Sequence, residues 1–134
     1  MQKHIKNLFK DNVFVIAILI TIGITYLSFI KTPKTDLDFI NTDKLYHLFA
    51  YFILTICWLF TLHKNSFLKY IIVIVCVIYG ILIEFLQEIL TVYRTSDYKD
   101  VLANTIGIIL AIIVYNKISK KIDVNSNQDL YKNE

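Results

Sequence analysis

The chain has 134 residues, 56% of them hydrophobic, with three glycines, one proline and a formal net charge of +3. One compact unit is the ceiling at this length, and the balance fits a helical membrane protein better than a soluble domain. The lysines gather near the chain ends instead of forming an aromatic-interleaved basic stripe, so no nucleic-acid partner is expected.

Four helical spans are predicted in chain order, each needing about 20 residues to cross a hydrocarbon core roughly 30 Å thick. The first covers residues 13–30. It follows a basic start and lacks a small-x-small cleavage pattern, which makes it a retained helix and not a leader. The second covers 45–62. The third and fourth apolar runs, 70–83 and 101–115, are too short unless polar neighbours are included, which extends them to about 70–89 and 97–116. The predicted fold is therefore an all-α four-helix transmembrane bundle over residues 1–122. Residues 123–134, rich in Asn, Asp and Lys, are expected to form a polar, disordered tail.

Orientation follows from the excess of Lys and Arg on cytoplasmic segments. With the N-terminus inside, nine of the fourteen basic residues fall on inner segments and five, Lys31, Lys34, Lys44, Arg94 and Lys99, on outer ones. Both termini are thus expected in the cytoplasm. Cys57 and Cys76 lie in apolar runs with no metal-ligand spacing and act as small hydrophobes.

The polar residues at membrane depth carry the functional signal, because such groups are costly in hydrocarbon and mark sites or mutual partners. Residues three, four and seven apart share a helix face. Asp43, Lys44, His47 and Tyr51 form one stripe; Gly80, Glu84, Gln87 and Glu88 form a second; Asp97, Asp100, Asn104 and Gly107 form a third. All three lie at the predicted outer end and should point inward and meet, with Gly80 and Gly107 allowing close helix approach. Hydrogen-bonded packing alone is the plain alternative, since such bonds hold membrane bundles together without chemistry.

In order and spacing, Asp43-Lys44-x-x-His47 with Tyr51, Gly80-x-x-x-Glu84-x-x-Gln87, and Arg94-x-x-Asp97-x-x-Asp100-x-x-x-Asn104-x-x-Gly107 resemble the VanZ-like family of small bacterial membrane proteins. The stretch between Gln87 and Arg94 lacks the Pro or Gly expected there. The resemblance implies a multi-pass protein of the bacterial plasma membrane and a link to low-level resistance to the glycopeptide teicoplanin. It implies no established reaction.

Three activities are weighed. In the first, the cluster binds a cell-envelope or lipid-linked ligand: Lys44 and Arg94 meet a phosphate or carboxylate, Tyr51, Gln87 and Asn104 orient it, and Asp43 and Asp97 complete the pocket. In the second, an intramembrane hydrolase or transferase uses His47 as general base with Glu84 or Asp100. The third is a small transporter, disfavoured because the polar groups keep to one end and not the midplane. No cofactor is expected. A divalent metal on His47, Glu84, Asp97 and Asp100 is a minor variant, as no His-Glu-x-x-His-type spacing exists. The expected partners are the lipid bilayer and an envelope lipid or lipid-linked wall precursor, and a homo-oligomer is compatible with the sequence.

Overall fold

The protein is seen in a computed structural model that describes residues 2–30, 42–62, 66–92 and 97–131, with side chains described over 12–30, 42–62, 67–92 and 97–121. Four helices make up the described residues: α1 (Gln2–Phe29), α2 (Thr42–Thr61), α3 (Ser66–Leu90) and α4 (Tyr98–Tyr131). Each contains a stretch long and apolar enough to cross a membrane, Asn12–Phe29, Thr42–Thr61, Phe67–Leu90 and Tyr98–Lys121. Helix is the form such segments must take, since a hydrocarbon core offers no partner for unpaired backbone groups. Threonines inside the spans follow the same logic. Thr21, Thr25, Thr61 and Thr105 each donate their hydroxyl to the carbonyl four residues back, at 2.7–2.8 Å, which hides the polar hydrogen within the helix.

Contacts along the helices fix the topology. Lys44 meets Asp97 and Asp100, and further along Phe60 packs on Tyr115, so α2 and α4 run parallel. His47 faces Glu84, Tyr51 faces Tyr79, and Lys69 reaches Asn116, so α3 runs against both. Gln87 bonds Ser28 while Tyr79 bonds Thr25, which sets α1 parallel to α3. The result is an up-down-up-down bundle in which α2 and α4 make the most extensive contact. Gly107 explains that intimacy, because a Cβ there would overlap the Leu48 carbonyl oxygen and press on the Phe52 nitrogen.

The buried apolar core, including Leu54, Leu59, Ile72, Cys76, Ile108 and Tyr115, fills the half of the bundle away from the acidic groups. Peripheral α1 packs on α2 and α3 and, among its described apolar side chains, buries only Ala17. It is pinned by polar contacts instead. Trp58 donates its indole N–H to Thr21 at 3.1 Å, and the Tyr79 and Thr25 hydroxyls lie 2.8 Å apart. Large apolar side chains such as Leu19, Phe85 and Ile109 face outward, as lipid contact allows.

Two boundaries differ from expectation. α2 starts at Thr42 instead of 45, which takes Asp43 and Lys44 into its first turn and puts an acid at its N-terminus. α4 continues as helix to Tyr131, through most of the segment whose composition favours disorder. A helix already nucleated in the span adds further turns at little cost, and this is the physical reason for the difference.

Candidate functional site

The site lies at the bundle end formed by the starts of α2 and α4 and the last turns of α3, and helix spacing arranges it in tiers. Asp43, Lys44 and Asp97 form the outermost tier. Asp97 precedes the first residue of α4 and caps it: the Lys99 backbone N–H donates to Asp97 Oδ1 at 2.9 Å, and the Asp100 N–H donates to the Asp97 carbonyl at 2.9 Å. That backbone donor first, and Lys44 after it, hold the Asp97 carboxyl below the ordinary carboxylate range. The Lys44 ammonium donates to Asp97 Oδ2 at 3.2 Å and to Asp100 Oδ1 at 3.4 Å.

His47, Asp100 and Glu84 form the middle tier, one from each of three helices. Glu84 and Asp100 are buried, 3% and 7% exposed. The His47 Nδ1 lies 3.1 Å from Asn104 Oδ1 and 3.3 Å from Glu84 Oε1. Both neighbours are acceptors, so Nδ1 carries the ring hydrogen and donates it to Asn104. Nε2 turns the other way, 3.9 Å from Asp43 Oδ1 and 4.0 Å from Asp100 Oδ2.

The innermost tier is Tyr51 and Asn104, each 2% exposed, packed over Gly80. A Cβ on Gly80 would lie 3.1 Å from the Tyr51 ring and 3.5 Å from Asn104 Nδ2. The Tyr51 hydroxyl and Asn104 Nδ2 are buried donors that find no hydrogen-bond partner among the described residues. Such groups take a water or a ligand oxygen when space permits.

Of the residues singled out in the sequence, Asp43, Lys44, His47, Tyr51, Glu84, Asp97, Asp100 and Asn104 thus come together, whereas Gln87 does not. Its side-chain amide donates to the Ser28 carbonyl at 2.8 Å, tying α3 to the last turn of α1. Glu88 is exposed, and Arg94 lies outside the described residues. Lys44 is engaged by two carboxylates, Asp97 and Asp100. A residue that the sequence reading used only for orientation also belongs here. Lys99 and Lys44 border a groove of about 280 Å³ between α2 and α4, floored by Leu45, Leu48, Leu102, Ala103 and Ile106. The signal was present in the stripe Lys99, Leu102, Ile106, a cation at the head of an apolar face.

A model of the VanZ/LLP1 family matches residues 3–119, nearly the whole chain. The chain belongs to the VanZ/LLP1 family. The match takes in the first three spans, the fourth up to residue 119, and every residue of the three tiers. A relative with 34% identity over 113 residues is an uncharacterized protein of the yeast Schizosaccharomyces pombe; the alignment covers 81% of this chain and 67% of the yeast protein. No solved structure matches the chain. The VanZ/LLP1 chain is accordingly a multi-pass membrane protein with a relative outside the bacteria, so membership alone does not specify a bacterial plasma membrane.

Proposed function

We propose that this VanZ/LLP1 protein binds a lipid-linked ligand of the cell envelope, with the hydrocarbon chain in the α2–α4 groove and the polar headgroup against the tiered cluster. The observation that supports this most directly is the double position of Lys44: it lines the apolar groove and is ion-paired into the cluster. A lipid seated on Leu48 and Ile106 would deliver its head to Lys44 and Lys99. An ammonium has three donors, and Lys44 commits two to Asp97 and Asp100, leaving one for a phosphate or carboxylate. In this reading the protein resides in a bacterial plasma membrane with both termini cytoplasmic and the cluster facing outward. The family link to teicoplanin susceptibility then reflects altered surface lipids or wall precursors.

Native mass spectrometry of the full chain in detergent tests the binding reading. A polyprenyl phosphate should be retained in preference to the uncharged polyprenol, and Ile106→Trp, which fills the groove, should reduce retention. Equal retention of both lipids, or no effect of Ile106→Trp, refutes it. Thiol labelling of single-cysteine variants in a chain freed of Cys57 and Cys76 checks orientation: a cysteine at Lys99 should react with impermeant reagent from outside.

One observation favours an intramembrane hydrolase or transferase as the second reading. His47 is anchored through Nδ1 by buried Asn104, with Glu84 alongside, so Nε2 is left turned to the more open side of the cluster. A histidine held in this way is oriented as a general base would be. Product appearing from an envelope lipid incubated with wild type, and absent with His47→Gln, would favour this reading over binding alone.

A further inference from the structure

We propose that the bundle end opposite the tiered cluster holds the headgroup of an anionic phospholipid at the α3–α4 seam, on Lys69, Asn116 and Lys120. The proposal stands apart from the ligand of the α2–α4 groove, which sits at the other end of the bundle.

Charge is sorted by end along this molecule. Asp43, Glu84, Glu88, Asp97 and Asp100 all belong to the end with the cluster, whereas the far end carries Lys69, Lys117, Lys120 and Lys121 and no acid among the described side chains. The sequence flanking that end adds Lys3, Lys6, Lys10 and Lys64 against Asp11 and Asp123. Lys117, Lys120 and Lys121 are exposed and make no hydrogen bond or ion pair among the described residues. Positive charge so weakly balanced by the protein, at the end of membrane spans, is complementary to an anionic lipid surface.

Lys69 turns this general attraction into a local site. Its ammonium crosses from α3 to α4, donating to Asn116 Oδ1 at 3.4 Å and lying 5.8 Å from the centre of the buried Tyr115 ring. Asn116 and Lys120 are four apart and share a face of α4, so a second ammonium comes within reach of the first. Each ammonium has three donors, and Asn116 takes only one from Lys69. The remaining donors suit the oxygens of a phosphate.

The same face of α4 supplies the apolar half. Ile109 and Ile113, both exposed, lead along it to Asn116 and Lys120, placing hydrocarbon contacts directly before headgroup contacts. From Lys99 at one end to Lys120 at the other the helix advances about 31 Å, against a hydrocarbon core roughly 30 Å thick. Lys120 therefore stands at the headgroup level of one leaflet when Lys99 stands at that of the other. The occupant must carry both an anionic head and a hydrocarbon chain, since a free phosphate would leave Ile109 and Ile113 unused.

Native mass spectrometry of the full chain in detergent, with phosphatidylglycerol and phosphatidylcholine of identical acyl chains, tests the site. Phosphatidylglycerol should be retained in preference, and Lys69→Gln and Lys120→Gln should each weaken its retention about fivefold. Lys69→Arg and Lys120→Arg keep the charge and should keep the preference, which separates headgroup binding from the Lys69–Asn116 contact alone. Ile106→Trp, which fills the groove at the other end, should leave the preference unchanged. Equal retention of the two lipids, or full retention in both glutamine variants, overturns the proposal and leaves these lysines as determinants of orientation only. Loss of phosphatidylglycerol in Ile106→Trp but in neither glutamine variant also overturns it, by placing the lipid in the α2–α4 groove.

Discussion

Glu84 on α3 holds its Oε1 3.3 Å from Nδ1 of His47 on α2, with both side chains nearly shut off from the surroundings. A carboxylate and an imidazole from different helices at this depth link the helices as well as the chemistry. Glu84→Gln preserves shape and a polar oxygen beside Nδ1, so the fold should persist at close to wild-type stability. Glu84→Leu removes the polar partner and should cost about 1 kcal/mol or more, read as a lower unfolding midpoint in detergent. A Gln variant no more stable than the Leu variant would show that the polar oxygen beside Nδ1 does not matter.

The three glycines make a graded series. Gly107→Ala drives a Cβ into backbone atoms of Leu48, which have no rotamer to escape to, and should destabilise by about 1–3 kcal/mol while separating α2 from α4. Gly80→Ala presses on the edge of the Tyr51 ring, which yields by a few tenths of an ångström, so the loss should be smaller. Gly23→Ala meets nothing within 4 Å and should be neutral or stabilising by up to about 1 kcal/mol. Thermal unfolding of the three variants checks the ranking, and Gly107→Ala milder than Gly80→Ala would contradict it.

Asp97 sets a pH dependence whose sign follows from its depressed carboxyl. Its charged form is favoured in the folded state by the Lys99 N–H first and Lys44 second. The stabilisation is therefore complete above the unfolded-state value near about 3.9 and disappears as pH falls through the lower folded-state value. The stability difference between wild type and Asp97→Asn should be constant near neutrality and shrink toward zero in strong acid. Chemical unfolding across that range, at fixed ionic strength, is the measurement.

Tyr79 and Gln87 hold α1 in place. Tyr79→Phe removes the hydroxyl contact with Thr25 and should cost about 0.5–1 kcal/mol; Gln87→Leu, which removes the donor to the Ser28 carbonyl, should cost as much or more. Both variants should raise proteolytic access near the end of α1 without altering the contacts of Lys44. Crosslinking of cysteine pairs across the α1–α3 seam would report the change.

Much of this architecture was legible in the sequence. Hydropathy gave the four spans, and the three-four-seven spacing gave polar stripes that do meet around His47. Spacing specifies which residues share a face, but not how far each helix is rotated toward each neighbour. Gln87 shows the difference. Three residues on from Glu84, it lies about 60° around the helix, enough to aim it at α1 instead of His47. Lys44 was read as a receptor for an external anion, and only the register of α2 against α4 shows that its first partners are Asp97 and Asp100. The contribution of α1 was hidden because Thr21 and Thr25 look like ordinary tolerated hydroxyls in an apolar run. Their bonds to Trp58 and Tyr79 depend on packing that no local pattern encodes.

The parallel pairing of α2 with α4 has a bearing on biogenesis. During synthesis α2 leaves the ribosome with Lys44 and His47 already at its head, yet Asp97, Asp100 and Asn104 emerge only after the whole of α3. The cluster therefore cannot be complete until α4 has been made, and a chain cut before α4 would leave Lys44 without the Asp97 and Asp100 that it pairs with.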